Sequence, residues 1–179
     1  MTHEGAEVTW PEIERLAGVL AKALSDGLPP FDRVVAVARG GLVAAALVAG
    51  RLEIDRVESV QVRHYDAGLR LERPSLLGPA PAAAGPGGDP TRTLIVDEVL
   101  ESGGTMRLLQ GLLPQATCAV LLAKRDPSTG IPTSRRIPAF ASGLVGELGR
   151  AVLAAGVARP DCWLVFPWSG ARERPRSGA

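Results

Sequence analysis

Aromatic side chains are scarce in this chain, at 4% of its 179 residues, although 46% of the sequence is hydrophobic. Its core must therefore be built from Val, Leu and Ala, as in a sheet covered by helices. Cysteine is scarcer: Cys118 and Cys162 stand apart with no C-x-x-C pairing, which excludes a paired-cysteine zinc site and a disulfide framework. Cys118 falls inside an apolar run of strand length and is expected to be a buried, inert thiol. No charge of one sign dominates, since the net charge is +1, and a nucleic-acid footprint is therefore missing. No uninterrupted apolar run approaches the ~18 residues of a membrane span. The first residues carry acids and no apolar signal segment. These absences point to a cytoplasmic protein, and the length suits one well-buried domain rather than two.

What is present has a clear order. Residues 8–24 place Ile13, Leu16, Ala17, Leu20 and Leu24 at near-helical spacing, so an amphipathic helix is expected from about Pro11 until Gly27-Leu28-Pro29-Pro30 ends it. Residues 34–38 have strand character, and a small-residue helix over 42–51 would pack closely on a sheet. Residues 59–63 read as a strand. Residues 69–90, rich in Pro, Ala and Gly and without periodicity, read as a long flexible loop. A strand over 93–96, a helix to Leu113 and a strand over 117–123 follow. Leu144, Leu148, Val152 and Ala155 suggest a further helix over 143–157. Strands alternating with helices imply an α/β fold, with a mostly parallel central sheet flanked by helices. Ligands of such sheets bind at the carboxyl ends of the strands.

One stretch carries most of the chemistry: Leu94-Ile95-Val96-Asp97-Glu98-Val99-Leu100-Glu101-Ser102-Gly103-Gly104-Thr105. An apolar strand ends in carboxylates and turns through glycines into a helix. Glycines allow close approach of the backbone, and a helix N-terminus offers unpaired N–H groups to a phosphate. No Gly-Lys-Ser/Thr follows and the G-x-G-x-x-G spacing is missing, which sets aside a Walker loop and a dinucleotide fingerprint. Acids ahead of a phosphate nest suit a sugar phosphate, whose hydroxyls need acceptors.

This stretch resembles the 5-phosphoribosyl-1-diphosphate (PRPP) signature of type I phosphoribosyltransferases. The resemblance implies the type I phosphoribosyltransferase fold and a role for each position. Asp97 and Glu98 would hold the ribose hydroxyls and face Mg²⁺. Glu101 would lie beneath the reacting base as its proton acceptor, and Ser102, Gly103, Gly104 and Thr105 would wrap the 5′-phosphate. The family usually has Asp at the second and third acidic positions. Glu98 and Glu101 are each one methylene longer, and a displacement of about 1 Å in an active site can cost ~10²-fold in rate.

Further blocks fit the same resemblance. Arg39-Gly40-Gly41, directly after a strand, would bind diphosphate through backbone N–H groups and a guanidinium; in the family this loop often holds a non-proline cis peptide. The loop after Tyr65-Asp66 would act as a lid, with Arg70 rather than Arg73 as the preferred cation for the departing diphosphate. Lys124, at a strand end, would meet the exocyclic oxygen of a 6-oxopurine. In the aromatic block of residues 161–168, Trp163 would stack on the base and Val165 would offer backbone groups to its edge. Taken alone, that block reads equally well as a small aromatic core cluster or a dimer contact.

With the opening Val8-Thr9-Trp10, these blocks look most like the bacterial xanthine-guanine members of the family. Two differences stand out. Residues 125–160 form an insertion without an assigned role, and Leu164, Val165 and Phe166 are apolar where the family has an acid for the purine 2-substituent. The resemblance thus implies one catalytic domain over residues 1–170 with a disordered tail over 171–179. It would use PRPP, Mg²⁺ and a nucleobase in purine salvage, as a homo-oligomer (dimer or tetramer). The alternatives are a non-catalytic PRPP-binding regulatory domain and a transferase for another small base.

Overall fold

The computed structural model describes residues 5–66, 69–83, 88–124, 152–159 and 162–170, with the main chain alone for 64–66 and 69–72. Among the described residues eight strands and three α-helices follow in the order β1 (Gly5–Glu7), α1 (Trp10–Gly27), β2 (Arg33–Ala38), α2 (Gly41–Arg51), β3 (Val57–Asp66), β4 (Leu69–Leu76), β5 (Thr93–Leu100), α3 (Gly104–Leu112), β6 (Thr117–Lys124), β7 (Val152–Ala158) and β8 (Trp163–Val165). Six strands form one sheet in the order β4-β3-β2-β5-β6-β7, parallel except for the antiparallel β3–β4 pair. β1 and β8 make a separate two-stranded parallel pair. The α/β class and mostly parallel sheet follow from the alternation seen in the sequence. Among the described residues no helix is long and apolar enough to cross a membrane.

The sheet is buried on both faces. α1 and α2 cover one, where Ile13, Leu16, Leu20, Val48, Leu94 and Leu121 pack together. α3 covers the other, with Met106 and Leu109 against Val35, Ile95, Cys118 and Val120. Central strands buried on both faces read as continuous apolar runs, which is why Val34–Val37 and Ala119–Ala123 lack alternation. Small residues Ala44, Ala45 and Ala49 let α2 lie close on the sheet. Cys118 is fully buried in β6.

Three expectations are corrected. Residues 69–76, expected within a loop, form β4, with Val62 opposite Leu76 and Tyr65 opposite Arg70. The edge of β3 supplies the hydrogen-bonding partners, which local composition does not reveal, and Pro74 is tolerated because β4 is itself an edge strand. Residues 152–157, expected as helix, belong to strand β7, paired with β6 from Cys118↔Val152 to Lys124↔Ala158. A nearly unbroken apolar run fits either periodicity, and pairing decides. The rest of the insertion, 125–151, lies outside the described residues, as does the tail over 171–179. The strand expected over 93–96 continues to Leu100, so the first two acids stand in β5 itself, paired along β6 as far as Leu100↔Ala123.

Arg33, at the start of β2, is almost wholly buried, yet it donates to Glu58 at 2.9 Å and to the Ala82 carbonyl at 2.8 Å. A buried guanidinium persists only when so paired. It ties residues 79–83 to the amino-terminal end of the sheet, opposite the cleft.

Candidate active site

The carboxyl ends of β2, β5 and β6, together with the start of α3 and the strand β8, surround a cleft of about 820 Å³. That volume suits a ligand of nucleotide size. Arg39, Gly40, Asp97, Glu98, Glu101, Ser102, Gly103, Gly104, Thr105, Lys124 and Trp163 all line it. Residues from four separate stretches of sequence thus meet in one place.

Three backbone features shape the loops that follow β2 and β5. The Ala38–Arg39 peptide is cis. Gly41, at the first turn of α2, lies so close to β5 that a Cβ there would sit 2.8 Å from the Val96 carbonyl and 2.9 Å from Asp97 Cα. Gly103, the N-cap of α3, adopts φ 74°, a left-handed conformation that favours glycine. Arg107 steadies the loop by donating to the Ser102 carbonyl at 2.9 Å. The amino terminus of α3 consequently opens on the cleft beside Thr105.

Between these loops stand the two acids of β5. Asp97 is buried, and its Oδ1 accepts the Glu98 N–H at 2.9 Å. Burial, followed by the neighbouring Glu98 carboxylate, holds the Asp97 carboxyl well above the usual carboxylate range. Glu98 lies directly over Gly40, where any Cβ would overlap its carboxylate. One Glu98 oxygen, Oε2, is buried without a hydrogen-bond partner among the described residues. Two adjacent carboxylates, one with an orphaned oxygen, form a donor set that suits a hard divalent cation such as Mg²⁺. Among the described residues there is no cluster of three or more His, Cys, Asp or Glu for a metal, so such an ion would need oxygen ligands from substrate or water as well.

At the other end, Lys124 at the tip of β6 donates to Glu101 Oε1. Its ammonium also lies 5.7 Å from the centre of the Trp163 ring, within cation–π range. Lys124 is nearly buried while Glu101 remains largely exposed. Trp163 is 41% exposed, so it is a cleft wall and not a core residue.

The family described as the phosphoribosyl transferase domain matches residues 8–130. The chain belongs to that family. It is 36% identical to the xanthine-guanine phosphoribosyltransferase of Gluconobacter oxydans over 168 residues, covering 93% of this chain and 85% of that relative. The corresponding protein of Ruegeria sp. is 33% identical over 178 residues, covering 94% and 88%. Among solved structures, purine phosphoribosyltransferase from Pyrococcus horikoshii shares the fold with a TM-score of 0.63 at 23% identity, covering 93% of this chain and 95% of that one. A Neisseria gonorrhoeae protein crystallised with ppGpp does so with a TM-score of 0.67 at 22% identity, covering 96% and 92%.

Not every residue singled out from the sequence reaches the cleft of this phosphoribosyltransferase. Val165 is buried, does not line the cleft, and its carbonyl accepts the Val8 N–H at 2.9 Å. Gly41 stands behind the cleft wall against β5. Arg70 is in β4 opposite Tyr65, and its side chain lies outside the described residues. Conversely, Leu42, Gln61, Met106, Trp168 and Ser169 line the cleft without having been singled out for it. Only Trp168 carried a signal, as part of the aromatic block.

Proposed function

We propose that this phosphoribosyltransferase moves the 5-phosphoribosyl group from PRPP to a ring nitrogen of a purine base, releasing diphosphate in purine salvage. The observation that carries this reading is the meeting of two anion loops, an acid pair and the Glu101–Lys124–Trp163 cluster in one cleft. The names of its relatives in Gluconobacter and Ruegeria support the purine as acceptor.

Residues 39–41 would receive the diphosphate and residues 102–105 the 5′-phosphate, each through backbone N–H groups, with the Arg39 guanidinium adding charge. Asp97 and Glu98 would accept hydrogen bonds from the ribose hydroxyls between them. The same carboxylates, together with substrate oxygens, would hold Mg²⁺, which when bound would neutralise charge on the diphosphate. As the C1′–O bond to diphosphate breaks and the bond from C1′ to the purine nitrogen forms, that nitrogen sheds its proton to Glu101. Lys124 would donate to an oxygen on the base, and Trp163 would hold the ring face. Most of the acceleration would come from stabilising the separating charges at the sugar. A lid cation such as Arg70 belongs to the same proposal, as do a cytoplasmic setting and a homo-oligomeric state. Diphosphate release from Mg²⁺-PRPP with a panel of purines tests it.

A further inference from the structure

Trp10 is the first residue of α1 and leaves 53% of its surface exposed, a costly position for so large a ring. Its ring centroid lies 5.8 Å from that of Trp168 at a tilt of 58°. Trp168 in turn stacks on Phe166, with centroids 4.8 Å apart and planes 18° from parallel, and Phe166 is buried in the core. The turn connecting them is closed from both sides. The Phe166 N–H donates to Ser169 Oγ at 3.0 Å, and the Ser169 N–H donates to the Phe166 carbonyl at 2.9 Å. Just upstream, β8 is paired in parallel with β1, with Gly5 opposite Trp163 and Glu7 opposite Val165. Residues 5–10 and 163–169 therefore form one unit.

Within that unit Trp163, Leu164, Phe166, Trp168 and Ser169 face the cleft, whereas Trp10 does not line it. Among the described residues β8 has three residues and pairs with β1 alone, so pairing by itself does not fix its shape. Val165 and Phe166 anchor its inner side in the core. The aromatic series from Trp10 through Trp168 to Phe166 runs from the α1 terminus into that core and braces the segment from its outer side.

We propose that Trp10 is a positioning residue for the base half of the cleft: it holds Trp168 on Phe166 and thereby fixes β8 and Trp163, without touching substrate. This rests on the reading of the cleft as one that receives a base beside Trp163. The loops over residues 39–41 and 102–105 hang from β2 and β5 of the six-stranded sheet and from α3 packed on it, so their geometry should be indifferent to Trp10.

The test is steady-state kinetics on the full chain with Mg²⁺-PRPP and whichever of hypoxanthine, guanine and xanthine the wild type uses best. Trp10→Ala should raise the KM for base on the order of tenfold or more, as for a displaced binding element. The KM for PRPP should stay near wild type, and Trp10→Phe should recover most of the loss. Should Trp10→Ala fail to fold, Trp10→Leu, which fills volume without a ring, takes its place. An unchanged KM for base in a folded ringless variant overturns the proposal, and so does a parallel rise in both KM values, which is what general loosening produces. Wild type that turns over none of the three bases overturns the transfer reading instead. Calorimetric titration of the same purines into the Mg²⁺-PRPP-loaded chain then carries the Trp10 comparison, and equal purine affinity in wild type and the ringless variant overturns the brace.

Discussion

Lys124 and Glu101 are joined by an ion pair that bridges the carboxyl ends of the neighbouring strands β6 and β5, and the same ammonium stands over Trp163. Glutamate is long enough to make this bond across the strand ends while remaining more than half exposed. On the proposed reading, a base entering beside Trp163 would meet a donor and an acceptor already oriented by each other. Glu101→Gln should lower kcat by ~10²–10⁴, the range for losing a general base. The KM for PRPP should hardly change. Steady-state kinetics on both substrates check this, and a normal kcat would remove Glu101 from the proton transfer.

Asp97 should show opposite effects on stability and on function. The folded state holds its carboxyl well above the ordinary value of 3.8, mainly through burial and then through Glu98. The folded chain therefore binds that proton more tightly than the unfolded chain, and stability erodes as pH rises from 3.8 through the raised value. Asp97→Asn abolishes this erosion, so its melting temperature near neutral pH should be equal to or above wild type. It should also lose most of the upshift with Mg²⁺-PRPP, which in wild type should approach ~2.7 kcal/mol at a hundredfold excess over Kd. Thermal melts with and without ligand across pH decide.

Gly41→Ala should damage the fold and the diphosphate loop together. The new methyl group would meet backbone atoms of Val96 and Asp97, at 2.8 and 2.9 Å, which cannot swing aside. Overpacking of this kind costs ~1–3 kcal/mol, and each kcal/mol is worth about 2–4 °C in a chain of this size. Gly103→Ala meets backbone strain instead, at φ 74°, with a penalty of ~1–2 kcal/mol. Melting curves paired with PRPP titrations should show Gly41→Ala losing both stability and affinity.

Trp163→Ala should leave the melting temperature near wild type, because the side chain is largely a cleft wall. Affinity for base should fall by one to two orders of magnitude, as expected for loss of a stacking surface worth ~1–3 kcal/mol. A core residue would behave the other way, costing ~3–5 kcal/mol of stability. Melting temperature and the KM for base, measured on one preparation, separate the two.

The parts of this architecture that are legible in the sequence are those written in contiguous residues. The apolar run from Leu94 to Val96, its acids and the Ser102-Gly103-Gly104-Thr105 turn state a strand, a charge and a nest in chain order. The helical spacing of Ile13, Leu16 and Leu20 likewise states α1 directly. Features that depend on distant partners are not legible in this way. β4 exists because the edge of β3 needs partners, and nothing within residues 69–76 announces it. β7 is an apolar run that could equally have coiled, and its pairing with β6 decides otherwise. The same holds for the Val8 bond to Val165, which turns that carbonyl toward β1, and for Trp10, whose meaning depends on Trp168, 158 positions further along the sequence.

The most direct test of the central claim is a reaction of the full chain with Mg²⁺-PRPP and, in turn, hypoxanthine, guanine, xanthine, adenine and orotate, measuring diphosphate and nucleotide together. Equal amounts of diphosphate and the matching purine nucleotide should form with at least one 6-oxopurine, and neither should form without base. Saturable binding of PRPP with no nucleotide from any purine would contradict the account and leave a domain that senses PRPP without transferring its sugar.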